Sequence, residues 1–318
     1  MAQSTCFKTF LNVTHGGVVG VALKRHALLY TVFQIDHDGD PTIFQVTDKG
    51  VESVFAPSFP STAGFQECLL DVNPGLGQWE HQAGFVYVTQ GNKIFEITPN
   101  GAPVQLFAQL SSSVDSNGTA ITFDRVGTFH HDMILTDNQR GDVYRVRPAM
   151  RGTMLTPFVN VHKTILGDTL AVVPKSLGPH GGEIWVAAQN DGKVYSVSAS
   201  TTPTVNTIAS IPQAGNVSVI PHKPKEFGRS GGAYFAADWS DRAGRILECP
   251  KSAFRGLGGN VLIGQETGGG VSMIKFDGST GSYTVSTFDA NAFHGNGEGA
   301  AFVQHHHCDD DDDDDDDD

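Results

Sequence analysis

Six apolar runs along this chain open on an oxygen-bearing or imidazole side chain. They are Glu67 in ECLLDV, Asn117 in NGTAITF, Asp168 in DTLAVV, Asn216 in NVSVI, Glu298 in EGAAFV and, as the weakest instance, His15 in HGGVVGVA. The steps from 67 to 117, 117 to 168 and 168 to 216 are nearly equal, so equivalent positions of a repeated unit are expected to point at one spot. Carboxylate and carboxamide oxygens gathered there are hard donors, suited to Ca²⁺ first and to Mg²⁺ or Mn²⁺, with Zn²⁺ a further alternative. A cation on three protein oxygens keeps positions open for water and substrate, polarises a carbonyl and acidifies bound water. Such chemistry also needs a general base. His130, His131, His180, His222 and His294 fall in or near turns, and His294 in FHGNGEG is nearest in sequence to Glu298. Each of these histidines has a plainer reading as a turn residue bonded to backbone or simply exposed.

The elements that must position these groups are short strands. Between residues 116 and 148 lie three apolar runs, 120–123, 133–136 and 143–146, separated by polar or glycine-containing turns. Each has the length and β-branched or aromatic content of one strand. The same grammar recurs in residues 27–46, 84–97, 131–146, 182–197, 232–248 and 259–276: a small residue, an apolar strand, a polar glycine turn, a second strand. A further strand is expected at 103–109, 154–159, 205–211 and 283–288, and residues 7–13 have the same look. Four strands per unit, repeating every ~40–50 residues, specify an all-β fold, a β-propeller. One blade cannot bury both of its faces, so its neighbours must cover it and the ring must close. The count is six blades, with seven the alternative, because the interval from Asn216 to Glu298 is longer than the others. Closure is expected from residues 298–303 lying beside the N-terminal strands at 18–22 and 27–33, by pairing of N- and C-terminal strands.

One ring of repeats absorbs residues 1–304 as a single domain. The remaining segment, 305–318, is three histidines, Cys308 and a ten-residue aspartate run that repels itself and has nothing to bury, so it is expected to be disordered. That tail either engages cations or a basic partner, or only solubilises. The net charge of −14 is mostly this run; without it 25 acidic residues face 21 basic ones. A near-neutral body lacks the basic stripe of a nucleic-acid-binding surface. No stretch approaches the ~18 apolar residues of a membrane span.

The motifs SNGTAITFD…ILTDNQRGDVYRV, GDTLAVV…GGEIWVAAQNDGKVYSV and GEGAAFV resemble the six-bladed propellers of the senescence-marker protein and gluconolactonase group and their NHL-like relatives. The resemblance implies one divalent cation in the central channel, held by Glu298, Asn117 and Asp168, and a hydrolase of lactones or related esters. Asn216, on the next inner strand, joins the metal set by its equivalent position, and Asp168 and His294 are the catalytic candidates. The sequence departs from the group's pattern at residues 15–17, His-Gly-Gly where the group has its glutamate, and at Thr169, which follows Asp168 in place of glycine.

Other motifs reduce to structure. Residues 36–40, DHDGD, begin like a calcium loop but lack its distant glutamate and flanking helices, and read as a turn. Residues 256–259 and 268–270 open no helix and are turns, not phosphate cradles. Trp185 and Trp239 are expected in the core; Trp79 in GQWEH is either core or a stacking surface for a sugar at the channel mouth. Cys6, Cys68, Cys249 and Cys308 are far apart and form no CxxC pair, so Cys68 and Cys249 read as buried small hydrophobes. The N-terminal residues lack a signal-peptide pattern, which places the chain as written in the cytoplasm. Sequons at Asn12, Asn117 and Asn216 keep a secreted mature form open. Two functions are therefore carried forward: a metal-dependent, lactonase-like hydrolase with a small-molecule substrate, and a non-catalytic propeller that binds a partner on one face.

Overall fold

The computed structural model describes residues 6–14, 16–33, 42–56, 67–111, 119–162, 166–228, 231–240, 243–267 and 269–303, with the backbone alone at 33, 166, 168, 240 and 243. The strands form six sheets, four-stranded except for one of five, and the sheets are the blades of a propeller. Each of the six hairpins read from the sequence supplies the two central strands of one blade. Among the described residues no helix is long and apolar enough to cross a membrane.

The first blade runs in order from its inner strand Gly17–Lys24 through Ala27–Phe33 and Ile43–Thr47 to Glu52–Ala56. The second starts at Leu70–Val72 and ends at Val104–Leu110, and then gains a fifth strand. That strand is Met154–Leu155, which pairs in parallel with Val104–Leu110 instead of serving the third blade. The third blade starts at Ile121–Phe123 and takes Val159–Asn160 as its short outer strand. The fourth runs from Leu166–Val172 to Val205–Ser210.

The last two blades are interleaved. Ala214–Val219 is the inner strand of the fifth blade, yet the chain then leaves to build the hairpin Gly232–Ser240 and Ala243–Pro250 of the sixth. It returns to complete the fifth blade with Val261–Gln265, Val271–Asp277 and Ser282–Asp289, and only then lays Asn296–Phe302 against Gly232–Ser240 as the inner strand of the sixth. This exchange is the physical reason for the long interval between Asn216 and Glu298.

Closure uses both termini in one sheet. Lys8–Val13 forms the outer edge of the sixth blade on Ala243–Pro250, and Asn296–Phe302 forms the inner edge. The two terminal strands share a blade without touching; the hairpin lies between them. Asn296–Phe302 packs beside Gly17–Lys24 as the neighbouring inner strand, not as its hydrogen-bonded partner. A disulfide between Cys6 and Cys249, 243 residues apart, fastens the outer edge, and Lys8 adds an ion pair of 3.1 Å with Glu248. Cys249 is therefore a cross-link and not a lone buried hydrophobe, while Cys68 is buried as expected.

Packing between blades is apolar and aromatic. Trp79 is 1% exposed and lies edge-on to Tyr87 and Phe123 across the seam of blades two and three, so it is core and presents no surface to a sugar. Each such pair contributes roughly 0.5–1.5 kcal/mol beyond the area it buries.

Because the disulfide ties the N-terminal strand to a blade built more than two hundred residues later, Cys249→Ser is expected to lower the unfolding free energy by about 2–4 kcal/mol. Denaturant melts with and without reductant check this: reductant should weaken the native chain to the level of the variant and leave the variant unchanged.

Candidate functional site on the propeller axis

The inner strands approach one another closely where they begin. A Cβ on Gly167 would stand 1.5 Å from the carbonyl oxygen of Gly215, and one on Gly299 would stand 2.6 Å from that of Val19. Only glycine permits backbones this close. Threonines lock the contacts: Thr31 Oγ1 donates to the Cys68 carbonyl at 2.5 Å, Thr89 Oγ1 to that of Thr119 at 2.6 Å, and Thr169 Oγ1 to that of Val217 at 3.1 Å. The axis is thus tight around Gly167 and Gly215 and opens from Thr169 and Val217 onward.

The narrow end is acidic. Glu67 precedes the inner strand of the second blade, Glu298 lies in that of the sixth, and Asn216 in that of the fifth; Glu298 and Asn216 are both buried. Asn216 Nδ2 donates to the Gly297 carbonyl at 2.8 Å, which stitches the fifth blade to the sixth, and its buried Oδ1 has no hydrogen-bond partner among the described residues. Glu266, at the hairpin of the fifth blade, faces the same region; its N–H donates to the Gln213 carbonyl and its carbonyl accepts from Gly297. Burial raises the Glu67 pKa. Burial and then the charge of Glu67 push Glu266 up to about 7. Glu266 Oε2 has no hydrogen-bond partner among the described residues either. Burial, and secondarily Glu67, also raise the adjacent Cys68 thiol to about 12, so it is no nucleophile.

Of the residues singled out in the sequence, Asn216 and Glu298 are thus brought to one layer of the axis. Asn117 and the side chain of Asp168 lie outside the described residues, as do residues 36–40 and 305–318. His294 is exposed on the loop before Asn296–Phe302, and its N–H donates to Asp238 at 3.4 Å. His131 Nδ1 lies 2.8 Å from the Asp124 carbonyl, and His180 Nδ1 lies 2.9 Å from Glu183, so both are turn anchors. Among the described residues no three His, Cys, Asp or Glu side chains form a metal-ligand cluster. Glu67 is one of the oxygen-bearing strand starts of the sequence, although it stands outside the metal set of Glu298, Asn117, Asp168 and Asn216. Glu266 was missed; the polar end of the second strand in GQETGGG becomes meaningful only once the register places it over the axis.

The wide end is different. A cavity of about 840 Å³ is lined by inner-strand residues of all six blades, most of them apolar. Its fixed polar feature is the two-pronged pair of Asp71 with Arg125, at 2.9 and 3.0 Å. His222 and Lys223 border it.

No family model matches the chain, and no curated protein matches it in sequence. Among solved structures it is similar to a chain of a nidogen/laminin complex, with a TM-score of 0.56 at 10% identity, over 92% of this chain and 87% of that one. It is also similar to a streptogramin B lyase, at 12% identity and a TM-score of 0.48, over 89% and 86%. At such identities the likeness concerns the fold. The protein is a six-bladed β-propeller. What holds of the resemblance read from the sequence is the six-bladed propeller fold alone.

A carboxylate whose folded-state pKa lies above the ordinary 4.5 binds its proton more tightly when folded, so stability falls as pH rises from there to about 7. In the presence of chelator, Glu266→Gln is expected to melt above the native chain at pH 7.5 and level with it at pH 5. Thermal unfolding across that range checks the sign.

Proposed function

We propose that the narrow end of the axis holds a divalent cation and that the protein hydrolyses a lactone or related ester there. The observation that carries this reading is the pair Glu67 and Glu266: two half-buried carboxylates, the charge of Glu67 acting on Glu266, with no ion-pair partner among the described residues. Unpaired buried charge is costly, and a hard dication offsets it. The partnerless Oδ1 of Asn216 supplies a neutral oxygen of the kind such ions accept. Glu67, Glu266, Asn216 and Glu298 would hold the ion, with Asn117 and Asp168 added from the equivalent strand starts; Ca²⁺ fits an all-oxygen set first. When bound, the ion polarises the ester carbonyl. His294, exposed beside the inner strand of the sixth blade, would accept the proton from water. The Cys6–Cys249 bond supports an oxidising compartment for the mature protein.

The second reading is a non-catalytic binding propeller, favoured by the mostly apolar lining of the wide cavity. Isothermal titration of Ca²⁺, Mn²⁺ and Zn²⁺ separates the two, run beside a panel of lactones and nitrophenyl esters. One tight site is expected in the full chain and in a chain ending at Gln304, and it should weaken at least roughly a hundredfold in Glu67→Gln/Glu266→Gln, which removes two ligand charges. Absence of that site in both chains removes the cation, and binding without hydrolysis leaves the binding module.

A further inference from the structure

The wide half of the axis has no part in the cation reading, and its chemistry points elsewhere. Leu69, Ile121, Val172, Val217 and Ala301 give it an apolar wall. Its volume lies within the roughly 300–1,000 Å³ of small-molecule sites.

The charges at this cavity do not cancel. Asp71 is fully engaged: Oδ1 accepts from the Val72 N–H at 2.7 Å and from Arg125, and Oδ2 accepts from the Phe123 N–H at 3.1 Å, the Thr122 hydroxyl and Arg125. Asp71 and Arg125 therefore neutralise each other and hold each other still. Lys223, exposed at the rim beside His222, has no ion-pair partner among the described residues, and Asp71 is the only carboxylate among the residues lining the cavity. An apolar chamber with a positive rim selects an apolar molecule bearing one negative group.

We propose that this cavity binds an amphipathic organic anion of the alkyl carboxylate class. The hydrocarbon body fills the inner-strand chamber, and the carboxylate stays at the rim on Lys223 and His222. The negative head remains partly hydrated there, and the tail leaves water for the wall contributed by all six blades. No bond is made or broken.

Isothermal titration of the full chain with decanoate, decanol and decyltrimethylammonium, each below its micelle concentration, tests this. Decanoate should bind once per chain, weaken with added salt, and bind more tightly than the other two. Lys223→Glu should weaken decanoate by roughly tenfold, the scale of one partly desolvated charge pair. Ala171→Trp, which fills the chamber, should abolish saturable binding, and an unchanged thermal melt shows that the fold is intact. Lys223→Glu lies at the exposed rim and keeps the test decisive if the chamber variant fails to fold. Glu266→Gln and chelator should leave decanoate binding unchanged, which separates this site from the cation. The proposal is overturned by no saturable decanoate binding, by equal affinity for all three probes, by an unaffected Lys223→Glu variant, or by loss of binding with chelator.

Discussion

The ring depends on the contact of one inner strand with the next around the axis. A sheet edge presents unpaired backbone groups, and six such edges meeting at a hub would leave many of them buried without partners. Two devices deal with this here. Glycines such as Gly167 and Gly299 let neighbouring backbones touch, and threonine hydroxyls from one blade satisfy carbonyls of the next. Asn216 performs the same service between the fifth and sixth blades. The hydrophobic seams supply most of the binding between blades, but these small polar latches fix how far apart the inner strands stand. That spacing decides where the axis is tight and where it opens.

The two ends of the axis consequently have opposite character. At the strand starts the backbones crowd together, and carboxylates placed there are desolvated and feel one another, as Glu67 and Glu266 do. Farther along, the strands diverge under their own twist, and their side chains line a chamber where Asp71, the one carboxylate among the described lining residues, is already neutralised by Arg125. The proposed cation and the proposed amphipathic anion would therefore sit at opposite ends of one axis. The fifth and sixth blades show both in one strand: Asn216 and Glu298 lie toward the narrow end, and Val217 and Ala301 line the chamber.

Much of the architecture was readable from the residues because it rests on local pattern. Each central hairpin announces itself by alternation and a glycine turn, and all six lie where the sequence put them. What depends on long-range pairing was not readable. No spacing rule could show that the hairpin of residues 232–250 belongs to a different blade from the strands before and after it. Nothing near Cys6 points to a partner 243 residues away. Met154 and Leu155 read as an outer strand of the third blade and join the second, because a two-residue strand carries too little pattern to choose its neighbour. At the site, Asn216 and Glu298 were found because they begin runs of apolar residues. Glu266 ends one, and its nearness to Glu67 exists only in three dimensions.

The interleaving of the fifth and sixth blades bears on how such a chain can be made and remade. In a simple tandem array each unit is a contiguous piece of sequence, so units can be duplicated, deleted or completed one after another as the chain emerges from the ribosome. Here the fifth blade cannot be finished until the central hairpin of the sixth has been laid down, and the sixth waits for both Lys8–Val13 and Asn296–Phe302, the first and last of the described strands. No single cut between residues 214 and 302 removes one blade and leaves its neighbour whole. The closing third of the ring is inherited, and must assemble, as one indivisible piece.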